Sequence, residues 1–188
     1  MQKKSIIIIM MLLTLLTTVI QVLAEKKDLA ERIDAVMKHC AEKNNYHMPA
    51  EQLYEWMKAG RDDFMVVDIR FAPDDGPWGQ PKYGRIPKSV FIPYYDLFTP
   101  ENLAKLPKNK KLILVGHMGV HENYSVVPLR LLGYEAYSLL LGMSGWQKDY
   151  PAVGHVKMLI HAPDNMDFPL EKEAEGHIMH RKHEGHNQ

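Results

Sequence analysis

The spacing of hydrophobic positions changes along the chain, and each change marks a new element. Ile6 to Ile20 is an apolar run without a charged residue. After Glu25-Lys26-Lys27 the apolar positions thin to Leu29, Ile33, Val36, Met37 and Cys40, three or four apart. That is the period of an amphipathic helix over about residues 28–42. Asn44-Asn45 breaks it, and Pro49 opens a second helix with Leu53, Trp56 and Met57 on one face, closed by Gly60. The pattern then shortens. Residues 65–69, 89–92, 111–115 and 134–139 are β-rich runs, and a helix-like segment from Glu122 to Leu132 separates the last two. Strands that alternate with helices and read as nearly continuous apolar stretches predict a mainly parallel sheet covered on both faces. From about Pro163 the chain turns polar and histidine-rich, the pattern of a loosely ordered tail.

The first apolar run reads as an export signal rather than as part of the fold. Lys3 and Lys4 precede it, and Val22-Leu23-Ala24 offers small or modest residues at the positions a signal peptidase reads. Residues 1–24 are therefore expected to be cleaved after Ala24, which makes the mature chain periplasmic or secreted and leaves it with no membrane segment. The rival reading is an uncleaved anchor, since Ser5 to Ala24 is just long enough to span a bilayer.

Composition narrows the function classes. The 188 residues are 46% hydrophobic, enough for one packed domain. Twenty-three basic and 23 acidic residues balance, against a nucleic-acid binder working through a general basic surface. The one cysteine, Cys40, excludes an internal disulfide and any CxxC motif; on its helical stripe it reads as a small core hydrophobe.

Ligands of parallel sheets gather where strands run into helices. The most apolar strand is followed by Gly116-His117-Met118-Gly119-Val120-His121-Glu122. Its two glycines let successive N–H groups turn inward beside a helix N-terminus, a cradle for an anion. His117, Met118 and His121 are also soft or borderline ligands for copper, zinc, nickel or haem, with Glu122 adding a carboxylate. An ordinary strand-to-helix turn is the third reading. Pro128 falls inside the following helix, where it removes a donor and predicts a kink. Phe71 to Tyr83 is stiff, with three prolines, two glycines and Trp78, a candidate partner contact. In the tail, His177, His180, His183 and His186 recur every third residue, a spacing able to chelate a divalent cation.

Several motifs resemble the rhodanese (sulfurtransferase) family. These are Val67-Asp68-Ile69-Arg70, Tyr83-Gly84-Arg85-Ile86-Pro87 leading to Val90-Phe91-Ile92-Pro93, then Leu132-Gly133-Tyr134 and Gly142-Met143-Ser144-Gly145-Trp146. The resemblance covers about residues 47–150. It implies a single rhodanese-like α/β domain with a five-stranded parallel sheet flanked by helices, here preceded by a helical extension (25–46) and followed by the histidine-rich extension (151–188). It also implies a six-residue active loop, Gly116 to His121, with Asp68, Arg70, Arg85 and Trp78 in support. Family members place a nucleophilic cysteine where this chain has Gly116, and usually a histidine where it has Arg85 and Gly-Ala where it has Lys88-Ser89. Glycine has no side chain to carry a persulfide.

Three functions are open at this point. The first is an exported rhodanese-like module without thiosulfate sulfurtransferase activity that binds a ligand, a small oxyanion or an envelope protein. The second is a sulfurtransferase-class enzyme handling sulfur or selenium species by another route. The third is an envelope metal-binding protein using His117, His121 and the four tail histidines.

Overall fold

The computed structural model describes residues 2–71 and 84–154. Its elements are α1 (Gln2–Glu42), β1 (His47–Met48), α2 (Ala50–Lys58), β2 (Phe64–Asp68), β3 (Val90–Phe91), α3 (Pro100–Leu103), β4 (Lys111–Val115), α4 (Val120–Leu131), β5 (Glu135–Leu139) and α5 (Gly142–Trp146). The five strands form one sheet in the order β1-β5-β4-β2-β3, with every neighbouring pair parallel.

Strand β4 sits in the middle because it is apolar on both sides. Leu112 and Leu114 join Val67, Ile69, Val126 and Leu129 in one core, while Ile113 and Val115 join Val66, Leu53, Leu139 and Met143 in the other. Alternation along the strand thus feeds two hydrophobic layers, each fully buried aliphatic side chain contributing about 1.5–3 kcal/mol. The edge strands are short, which suits positions with a neighbour on one side only. The strand bounds agree with the expected runs to within a residue or two, β3 being reduced to two residues. Strand β1 was not expected from the pattern of residues, because two residues are too few to show alternation.

Helix α1 runs without interruption through Ala24, and among the described residues no helix is long and apolar enough to cross a membrane. Its far end docks on the domain. Arg32 donates to the Leu131 carbonyl, and Tyr46 Oη donates to the Val36 carbonyl at 2.9 Å. Val36 and Cys40 pack against the core as the amphipathic pattern predicts, but Leu29, Ile33 and Met37 are exposed. The docked part of the helix touches the domain along a narrower strip than its apolar stripe. Pro128 lies within α4, which continues one turn past it as a single helix.

Candidate active loop

The carboxyl ends of β2 and β4 bring the predicted residues together. Past β2, Arg70 turns back on Asp68: its Nε donates to Oδ1 at 3.0 Å and its Nη2 to Oδ2 at 2.8 Å. Nη2 also donates to the Gly84 carbonyl at 2.5 Å, tying the start of the next segment to the strand. Both side chains are almost wholly buried, so the charges are compensated by each other rather than by water. Arg85, beside Gly84, is exposed.

Past β4, the chain curls through Gly116 to Gly119, and Gly119 takes φ +100°, which favours glycine. Gly119 is the N-cap of α4 and Glu122 the third residue of the helix. Glu122 reaches back as the glutamate of a capping box does, and Gly119 has no side chain to supply the other half. Its Oε1 accepts from the Gly116 N–H at 2.6 Å and from the Gly119 N–H at 3.3 Å. The inward-pointing amides therefore have an acceptor already, and it belongs to the chain itself.

Two glycines make room for that carboxylate. A Cβ on Gly116 would stand 2.5 Å from Glu122 Oε2 and 2.6 Å from its Cδ. A Cβ on Gly142 would stand 2.3 Å from Glu122 Oε1, and Gly142 holds φ +53°. Helix α5 closes the loop from above: the Met143 N–H donates to the Gly116 carbonyl at 2.9 Å, and the Ser144 N–H and Oγ donate to the His117 carbonyl at 3.1 and 2.9 Å. Glu122 is fully buried and its Oε2 meets no hydrogen-bond donor. Burial pushes its carboxyl up to about 7 against the pull of the backbone amides of Glu122, Gly116 and Gly119, and the Asp68 charge adds to the rise.

The two loop histidines sit among rings. His117 is buried, with its Nδ1 hydrogen-bonded to Tyr150 Oη. Phe71 lies 5.3 Å from the His117 ring centre and 5.0 Å from that of His121, and Tyr94 lies 4.5 Å from His121. Burial lowers the His117 pKa to about 4, helped by the Arg70 charge and His121, and burial also lowers that of His121. Both imidazoles are neutral at neutral pH.

A rhodanese-like domain family model matches residues 49–149. The chain belongs to the rhodanese-like domain family. Among solved structures it is similar to a rhodanese-like domain protein from Staphylococcus aureus, with 24% identity, TM-score 0.45, and 54% of this chain and 90% of that one covered. It is also similar to a rhodanese-related protein from Thermoplasma volcanium, with 26% identity, TM-score 0.45, and 56% and 94% covered. A Bacillus halodurans protein gives 22% identity, TM-score 0.49, and 62% and 81% covered. A search of curated proteins finds no match.

Within this rhodanese-like domain, Gly116 to Gly119 form the turn and Val120 and His121 open α4, with the Asp68–Arg70 pair at the end of the neighbouring strand. Of the expected metal set, only His117 and His121 lie among the described residues. Among the described residues no three histidine, cysteine, aspartate or glutamate side chains gather as a metal-holding group, and Met118 packs into the second core. Trp78, His177, His180, His183 and His186 lie outside the described residues. Sequence reasoning did not single out Tyr150, Phe71, Tyr94 or Gly142 as site residues, and it gave Glu122 only a minor part. A glycine followed three residues later by a glutamate at a helix start was the available signal for Glu122.

Proposed function

We propose that this rhodanese-like domain is a non-catalytic binding module of the cell envelope, reached through its N-terminal export signal. One observation carries the reading: the Glu122 carboxylate fills the volume that a side chain at position 116 would need. Persulfide chemistry requires a thiolate held on the loop amides. Here glycine replaces the thiol, and the Glu122 carboxyl takes the Gly116 and Gly119 amides. A small oxyanion would have to displace Glu122 to use them, which favours a protein partner over an oxyanion. With a glycine in place of the nucleophile, the loop serves as a closed structural corner.

The test is thiocyanate formation from thiosulfate and cyanide. Wild-type protein is expected to give no product above a protein-free blank; turnover would overturn the reading in favour of a sulfurtransferase using another group. A Gly116→Cys variant is expected to fold poorly, because its Cβ meets Glu122. Combining it with Glu122→Ala removes the obstruction, and this double variant is expected to recover the fold and, by attack of its thiolate on the outer sulfur of thiosulfate with release of sulfite, to form a protein persulfide seen by mass. Equal folding of the single and double variants would show that Glu122 does not fill the nucleophile's place.

A further inference from the structure

Helix α1 joins the domain through a short connection, Lys43 to Tyr46, which leads straight into β1. Three residues in a row there are left-handed: Asn44 at φ +49°, Asn45 at +53° and Tyr46 at +56°. Asparagine enters that region at little cost, but a bulky tyrosine does not. Contacts of the Tyr46 side chain hold it there. Its ring is buried in the first core layer, with the Arg130 guanidinium carbon 3.5 Å from the ring centre. Its Oη donates to the Val36 carbonyl at 2.9 Å and lies 2.8 Å from His39 Nδ1. Strain in the connection is thus maintained by the helix on one side and the domain on the other.

The contacts that seat α1 do not involve the connection's backbone. Val36 and Cys40 pack against the core, Arg32 donates to the Leu131 carbonyl, and the Val36 carbonyl accepts from Tyr46 Oη. None of them depends on which copy of the chain supplies the helix, so a second copy's α1 fits the same face by identity of sequence. Exchange keeps every seating contact and lets the connection leave the left-handed region, and short connections under strain favour it. Extended, four residues span about 14 Å, more than the helix width of about 10 Å. Leu29, Ile33 and Met37, exposed beside the docked strip, travel with the helix and supply apolar surface to a dimer.

We infer that α1 is an exchangeable arm, and that this chain forms a dimer in which the α1 of each copy docks on the domain of the other, with Lys43 to Tyr46 as the hinge. The exchange uses no residue of the active loop, so it and the binding-module reading succeed or fail separately.

The test uses the full chain in a mild detergent, with Cys40→Ser throughout. One batch carries Arg32→Cys and the other Leu131→Cys; the two are unfolded, mixed, refolded and treated with a bismaleimide no longer than an arginine side chain. The lost Arg32 contact weakens the closed and exchanged forms alike. A covalent pair joined from residue 32 to residue 131 is expected, because those positions meet across copies only after exchange. Hinge variants then shift the dimer's dissociation constant, read by analytical ultracentrifugation. Asn45→Pro fixes φ near −65° and drives Asn44 towards extended backbone, so the constant should fall about tenfold. Asn45→Gly accepts the left-handed turn freely and should raise it about threefold. Inserting Gly-Ser-Gly-Ser after Lys43 relaxes the hinge and should leave monomer. If the proline variant does not fold, the glycine variant and the insertion decide. A monomer at every reachable concentration, a dimer without the 32–131 link, or equal constants across the hinge variants would overturn the inference.

Discussion

The two ends of strand β2 treat polar groups in opposite ways. At the carboxyl end, Asp68 holds Arg70 through buried, bidentate bonds, and the neighbouring Glu122 takes the loop amides. At the amino end, Phe64, Met65 and Val66 line a cleft with exposed Arg61, Asp62 and Lys88 at its rim. Buried polar groups must find partners inside the chain, because an orphaned one costs about 1–3 kcal/mol and a charge more. Groups at an open edge can wait for a partner from outside. In this rhodanese-like domain the carboxyl end of β2 is closed on itself, and the amino end borders an open cleft.

The largest expected effect lies at the closed end. Asp68→Ala leaves Arg70 buried without its counter-charge, and loss of one member of such a pair costs about 3–5 kcal/mol. Denaturant unfolding should show a loss of that size or a chain that fails to fold. A loss under about 1 kcal/mol would mean that Arg70 reaches water, and the contrast between the two ends would weaken.

The next effect concerns pH and has two opposing parts. Glu122 binds its proton more tightly in the folded chain, up to about 7 against an ordinary 4.5. Its stabilising contribution is complete below about pH 4.5 and is lost as pH rises towards 7. His117 holds its proton less tightly when folded, at about 4 against 6.5. Its contribution is complete above about pH 6.5 and is lost as pH falls towards 4. Each amounts to roughly 3 kcal/mol, with opposite slopes over nearly the same window, so wild-type stability should change little between pH 4.5 and 6.5. Glu122→Gln keeps the acceptor for the loop amides and removes one slope. Its stability should then rise with pH from 4 to 6.5, with His121 acting in the same direction as His117. A Glu122→Gln profile as flat as wild type would show that the carboxyl is not held protonated by burial.

The fold was legible where burial is two-sided. Lys111 to Val115 is apolar at four of five positions and appears as the central strand with the expected bounds. The loop's position followed from that strand and from the glycine, tyrosine and tryptophan motifs around it. What fills the loop was not legible. The pairing of Glu122 with Gly142 joins residues 20 apart through a contact that neither one signals alone. Tyr150, reaching His117 from 33 residues downstream, is likewise set by tertiary packing. His117 and His121, four apart, look like part of a ligand set in the sequence; in the fold one meets Tyr150 and the other stands beside Phe71 and Tyr94. Exposed Leu29, Ile33 and Met37 teach the same lesson from the helix side: periodicity shows which residues share a face, not how wide a partner the face meets.

The smallest effect contrasts glycine at the two ends. At the closed end, Gly116 and Gly142 are required by their neighbour, and adding a methyl to either drives a carbon into Glu122. At the cleft, Lys88 holds φ +63° with an exposed side chain, a backbone shape that costs an ordinary residue about 1–2 kcal/mol. Lys88→Gly relieves that strain but adds freedom to the unfolded chain, so a net gain of about 0.5–1 kcal/mol is expected. Thermal and denaturant unfolding would both read it. A loss instead would show that the aliphatic stem of Lys88 packs along the cleft wall. Adding a side chain is therefore costly where the chain has closed on itself, and removing one is favourable where it has stayed open.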